Sequence, residues 1–242
     1  MDITKITRPV RKVLNVKKKY CGAVIVAAGT ASRMGGIDKV MAPLGGEPMI
    51  LRTVRQFQQC DAIEEIVVVT RPELIVPIMD LCHDFSKLKA VVVGGKSRDE
   101  SVSMGMNTLS EKCRLVAVHD GARPFATWQL IDRVVRAADT YGAAAPAIPV
   151  KDTIKVVGGG IVKQTPDRSA LRAVQTPQVF DFDLLRGALK QAKKDSLAIT
   201  DDCSAVEHMG MSVKIVEGDE RNIKITTPLD LKIAELIMEE MA

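Results

Sequence analysis

AVIVAA, residues 23–28, runs without a break into GTASRMGGIDK, residues 29–39. A short apolar, largely β-branched run that stops at a glycine predicts a buried strand. The residues after it predict a phosphate-binding turn. Gly29, Gly35 and Gly36 let backbone N–H groups approach phosphate oxygens, and Arg33 and Lys39 supply positive charge for a triphosphate. Such a turn would sit at the end of the first strand, where open α/β sheets hold their ligands. Two familiar phosphate loops do not fit: there is no GxGxxG, and Lys39 is followed by Val40 rather than Ser or Thr. A dehydrogenase reading is left with only the alternation of strands and helices and a glycine-rich first turn to support it.

Outward from this turn the chain alternates between two periods. Ile50, Val54 and Phe57 stand at helical spacing, EIVVVT (65–70) reads as a strand, and AVVVGG (90–95) as another. Val102, Met106 and Leu109 share a helix face, RLVAVHD (114–120) is a strand, and a helix follows through Trp128, Ile131 and Val135. These strands are apolar throughout, as parallel strands covered on both faces are. After Ala143 the rhythm changes. AAAPAIPV, DTIKVV, the triplet Gly158-Gly159-Gly160 and IVKQT predict an extended hairpin that leaves the main sheet, an arm over about 148–172. A two-stranded ribbon is marginal alone, so a second subunit is its expected support and a homodimer is implied. The reading continues with a helix near 182–193, a short helix from about Thr200 with Asp201 and Asp202 in its first turn, and a strand near 212–216. The last helix is opened by Thr227, Pro228 and Asp230, and Leu231, Ala234, Ile237 and Met238 give it an apolar face.

A chain of 242 residues can bury one sizeable α/β core. The net charge is +4, but residues 1–20 hold seven Lys or Arg against one Asp, so the rest sums to −2. The expectation is a basic N-terminal extension over 1–20, solvated and frayed, ahead of one domain over 21–242 that is not a nucleic-acid binder by charge. No stretch is apolar enough for a signal peptide core or a membrane span, and a soluble, cytoplasmic protein is expected. The cysteines at 21, 60, 82, 113 and 203 form no CxxC pair, which suits a reducing compartment. The histidines at 83, 119 and 208 lack the spacing of a zinc site or a triad.

AAGTASRM with a following lysine resembles the signature loop of nucleotidyltransferases that activate sugar and alditol phosphates. GGKSRDESV (94–102), VHDGARP (118–124), DTIK (152–155), TPQ (176–178), ITDD (199–202) and NIKIT (222–226) narrow the resemblance to the 2-C-methyl-D-erythritol 4-phosphate cytidylyltransferase family, from about residue 21 to the C-terminus. The resemblance implies a single Rossmann-like α/β nucleotidyltransferase domain. Its mixed, mostly parallel sheet would be flanked by helices and would carry a protruding β-arm. It also implies a homodimer with a shared active site, Mg²⁺ or another divalent cation, CTP as co-substrate, and a place in non-mevalonate isoprenoid precursor synthesis. Ribitol-5-phosphate cytidylyltransferases would share the phosphate loop, and a non-catalytic nucleotide-binding protein could share the fold.

Residue by residue, the resemblance assigns Arg33 and Lys39 to the triphosphate and Lys224 to the α-phosphate during transfer. Ala27, Ala28, Gly29, Gly95 and Ser101 match the cytosine pocket, with Lys96 standing where many members carry an acidic residue. Asp120, at the end of a buried strand, is assigned to CTP and the metal; before Gly121 it is equally a turn former. Thr153 and Arg168 on the arm match contacts to the acceptor phosphate, with Lys155 beside them. Thr176 and Thr200 match contacts to tetritol hydroxyls, with a local backbone hydrogen bond as the competing role. Arg123 is either a substrate contact or the structural partner of Asp120.

Overall fold

The computed structural model describes residues 20–29 and 39–241. The basic stretch before Tyr20, and Arg33 with Gly35 and Gly36 of the signature loop, lie outside the described residues. The chain runs β1 (Cys21–Val26), β2 (Pro43–Leu44), β3 (Glu47–Pro48), α1 (Met49–Gln59), β4 (Glu65–Thr70), α2 (Ile75–Leu81), β5 (Leu88–Val93), α3 (Arg98–Thr108), β6 (Leu115–Asp120) and α4 (Trp128–Tyr141). It continues with β7 (Ala143–Pro149), β8 (Val156–Gly158), β9 (Ile161–Gln164), β10 (Arg172–Val174), β11 (Gln178–Asp181), α5 (Phe182–Lys194), α6 (Asp202–His208), β12 (Lys214–Glu217) and α7 (Pro228–Met241).

An eight-stranded mixed sheet forms the centre. β1 pairs in parallel with β4 on one side and β6 on the other, and β4 pairs in parallel with β5. β11 is antiparallel to β6 and to the start of β7, and β10 is antiparallel to the end of β7. β12 returns parallel to β7. Two apolar clusters cover the faces. Ile25, Phe57, Ile66, Val68 and Ile131 pack under α1 and α4, and Val24, Val67, Val102, Val116 and Phe180 pack under α3 and α5. Complete burial of each such side chain contributes about 1.5–3 kcal/mol, which is why the strands in the middle of the sheet carry no alternation.

Three expectations are corrected. Ala143–Pro149 is a strand of the main sheet rather than the start of the arm, because its alanines are small enough to be buried between neighbouring strands. Pro146 is tolerated there: it lacks an N–H, and its carbonyl accepts from Gln175 N at 2.8 Å. With β7 running to Pro149 and β10 starting at Arg172, the segment outside the sheet is 150–171. Second, β5 is an edge strand that α2 and α3 cover only in part, so Val93 at its end is exposed despite its apolar context. Third, Trp128 opens α4 but lies exposed, while Ile131 and Val135 face the core.

The arm is a hairpin of β8 and β9 apart from the main sheet. Gly159 and Gly160, with φ of +60° and +77°, form its two-residue turn, a backbone that glycine adopts without strain. A third apolar cluster joins α7 to the loops under the site through Ala122, Phe125, Ile225, Ala234 and Ile237.

Candidate active site

The ends of β1, β5 and β6 and the start of α3 enclose a cavity of about 400 Å³. Ala27, Ala28 and Gly29 line it as β1 ends, Gly95 and Ser101 from the β5–α3 junction, and Asp120 from the end of β6. Lys39 and Lys224 contribute cations. Eight of the residues singled out in the sequence, from four separate motifs, therefore share one wall-to-wall space.

The turn between β5 and α3 is held by close packing. A Cβ on Gly94 would stand 2.6 Å from the Ala28 Cβ, and one on Gly95 would stand 2.3 Å from the Glu100 Cβ, so both positions require glycine. Ser101 accepts from Gly95 N at 3.1 Å and donates to Ser97 O at 2.9 Å. The Glu100 carboxylate accepts from Lys96 N at 3.0 Å. Ser97 caps α3 through Glu100 N at 3.3 Å, so helix start and turn are one unit.

Asp120 is only 8% exposed and faces three cations. Lys224 Nζ lies 2.9 Å from Oδ2, Arg123 Nε 3.5 Å from Oδ2, and Arg98 Nε 3.8 Å from Oδ1. Burial alone would raise this carboxyl, but Lys224, Arg98 and Arg123 outweigh it and hold it at about 2, ionised at any physiological pH. Among the described residues no three His, Cys, Asp or Glu side chains form a preformed metal cage. Asp120 is the single carboxylate among the described lining residues. That donor set fits a hard cation that keeps much of its water and binds together with substrate phosphates, as Mg²⁺ does.

Lys224 does not end a strand; it sits in the loop between β12 and α7. Ile225, fully buried, anchors this loop and donates from its N to Ala122 O at 2.9 Å. Arg123 is largely turned inward, donating to Asn222 O at 2.7 Å, which favours the structural partner role for it. Thr176 is buried, and its hydroxyl meets Asp120 N at 3.1 Å and His119 Nδ1 at 2.9 Å. Thr153, Thr200 and Arg168 are exposed and lie outside the cavity lining; Arg168 donates to Lys151 O at 2.7 Å.

Arg98 lines the cavity and was not singled out in the sequence. Its Nη1 lies 2.7 Å from Oδ2 of Asp202, which is fully buried at the start of α6. A signal was available. A cation in the first turn of α3 opposes the helix dipole, so it calls for a carboxylate partner, and ITDD supplies one. Gln178 fixes that carboxylate's helix by accepting from Asp202 N at 3.1 Å and donating to Asp201 Oδ2 at 2.7 Å.

The profile of the 2-C-methyl-D-erythritol 4-phosphate cytidylyltransferase family matches residues 21–240. Curated proteins of that name from Symbiobacterium thermophilum and Geobacillus kaustophilus are 44% and 45% identical, over 90% and 89% of this chain and 93% and 96% of their own. A solved 4-diphosphocytidyl-2C-methyl-D-erythritol synthase from Anaerococcus prevotii superposes with a TM-score of 0.84 at 30% identity, covering 92% of this chain and 97% of its own. A solved 2-C-methyl-D-erythritol 4-phosphate cytidylyltransferase from Thermus thermophilus gives 0.76 at 34% identity, with 91% and 99% covered. Taken with the shared cavity and the mixed sheet, these matches mean that the chain belongs to the 2-C-methyl-D-erythritol 4-phosphate cytidylyltransferase family.

Proposed function

We propose that the chain transfers the cytidylyl group of CTP to the phosphate of 2-C-methyl-D-erythritol 4-phosphate and releases pyrophosphate, a step in isoprenoid precursor synthesis. The observation that carries this reading is the joint placement of Lys39, Lys224 and Asp120 around one cavity whose other wall is the Gly95–Ser101 turn. An oxygen of the acceptor phosphate attacks the α-phosphorus in line, and the bond to the β-phosphate oxygen breaks. Charge gathers on the α-phosphate oxygens and the departing pyrophosphate, so positioning and neutralisation carry the catalysis and no covalent nucleophile is needed.

Lys39, with Arg33, holds the triphosphate, and Lys224 turns from Asp120 toward the α-phosphate. Gly95 and Ser101, with Ala27, Ala28 and Gly29, receive the cytosine through short backbone and hydroxyl contacts. Asp120 would hold a ribose hydroxyl or a divalent cation such as Mg²⁺, which when bound supplies neutralisation of phosphate charge. Thr153 and Arg168 on the arm would serve the acceptor phosphate of a second copy's site, with Thr200 toward the tetritol and Arg123 as the structural partner of Asp120. Exposed Val157 and Ile161 on the hairpin favour burial in a homodimer. All five cysteines are buried thiols outside any disulfide, which favours the cytoplasm, and among the described residues no helix is long and apolar enough to cross a membrane.

The test is pyrophosphate release with CTP, Mg²⁺ and 2-C-methyl-D-erythritol 4-phosphate, against ribitol 5-phosphate and the other nucleoside triphosphates. Release confined to the first pair is the expected result. Preference for ribitol 5-phosphate would overturn the acceptor, and silence with every pair would leave only nucleotide binding.

A further inference from the structure

We propose that His119 is a positioning residue: held as a single tautomer, it fixes the Thr176 hydroxyl and the Arg123 carbonyl and so sets Asp120 in the cavity wall. The proposal rests on the reading of Asp120 given above. His119 is fully buried beside Phe57, with ring centroids 4.9 Å apart. An apolar ring would fill that space without the cost of burying two nitrogens, so the imidazole's value lies in its hydrogen bonds.

Their directions follow from chemistry alone. Nε2 lies 3.1 Å from Arg123 O, and a carbonyl only accepts, so Nε2 carries the proton. In the neutral ring Nδ1 then accepts, and the hydroxyl of Thr176 at 2.9 Å donates to it. The same oxygen accepts from Asp120 N at 3.1 Å. One arrangement of hydrogens satisfies every group. The turn from Asp120 to Arg123 is thereby held at its first N–H and its last carbonyl. Between them Arg123 N donates to Asp120 O at 3.1 Å and Thr53 Oγ1 donates to Gly121 O at 3.0 Å.

The relay reaches the other charges as well. Asn222 donates to Thr176 O at 2.9 Å and accepts the Arg123 guanidinium at its carbonyl, two residues before Lys224. Thr176 thus acts through Asp120 rather than by touching the acceptor. This differs from the contact to a tetritol hydroxyl that the resemblance implied.

The experiment uses the full chain with Thr176→Val, Thr176→Ser, His119→Gln and the Thr176→Val/His119→Gln double variant. It measures kcat, KM for CTP and for 2-C-methyl-D-erythritol 4-phosphate, thermal unfolding, and the imidazole nitrogens by long-range proton–nitrogen NMR. Thr176→Val is expected to lower kcat about tenfold or more with acceptor KM within about twofold, and the serine variant to recover most of it. The double variant should be no worse than the more damaging single change, since both break one relay. A wild-type ring protonated on Nδ1, a raised acceptor KM with multiplicative losses, or a loss confined to thermal stability would overturn the proposal. Wild-type protein inactive with every pair would sink the reaction instead. The spectrum would then decide the relay: an Nε2–H ring whose Nδ1 signal moves in Thr176→Val sustains it, and an unmoved signal overturns it.

Discussion

Replacing Asp120 by Asn tests the electrostatics of the site through stability rather than turnover. The carboxyl falls from an ordinary 3.8 to about 2 because three cations outweigh its burial. At about 1.4 kcal/mol per pH unit, this contributes about 2.5 kcal/mol of stability at neutral pH. The folded-state value is the lower one, so the contribution is complete above the unfolded value near pH 4 and is lost as pH falls through about 2. At about pH 3 linkage predicts that roughly 1 kcal/mol of it is gone. Asp120→Asn has no such group and keeps the three cations, so it should be less stable than wild type at neutral pH. Its deficit should narrow by about 1 kcal/mol between about pH 7 and pH 3. Urea unfolding followed by far-ultraviolet circular dichroism at both values measures the gap. A gap that is constant, or that widens in acid, would refute the ionised, cation-held carboxylate.

Three further outcomes follow from the same geometry. Lys39→Ala should fold normally yet release pyrophosphate about a hundredfold more slowly, the usual loss for one preorganised charge at a transferring group. Ser101→Ala removes the acceptor for Gly95 N, and isothermal titration should find CTP binding weakened several-fold, by about 1 kcal/mol, with the fold intact. Ile161→Glu puts a charge on the most exposed apolar position of the hairpin; sedimentation should show a monomer and turnover should fall, whereas an unchanged dimer would remove the arm from the interface.

The core of the fold was legible because parallel strands and amphipathic helices write themselves in local periods. AVIVAA, EIVVVT and RLVAVHD are the three strands of the sheet's middle, and Thr227 opens α7 as read, accepting from Asp230 N at 3.2 Å. The assignment of AAAPAIPV to the arm failed because alanine and proline carry no strand signature, and only neighbours on both sides make that segment a strand. The eight cavity residues were legible because each lies in a motif of short range. The pairing of Arg98 with Asp202 was not, since a cation in the first turn of α3 signals only that some carboxylate is needed, and the ion pair joins two helices that no local pattern relates.

The sequence by itself determined which residue types were present in which order, and so the strand–helix rhythm, the glycine turns and the motifs whose order marks the family. Only the tertiary structure decided which groups each polar side chain meets. Asp120, a turn former or a ligand in the sequence, is an ionised carboxylate beside Lys224, Arg98 and Arg123, and Thr176 is a buried residue whose hydroxyl accepts from the Asp120 N–H. The physical reason is range: periodicity and turn chemistry act within a few residues, whereas charge pairing and burial act through space, between groups that folding alone brings within 4 Å.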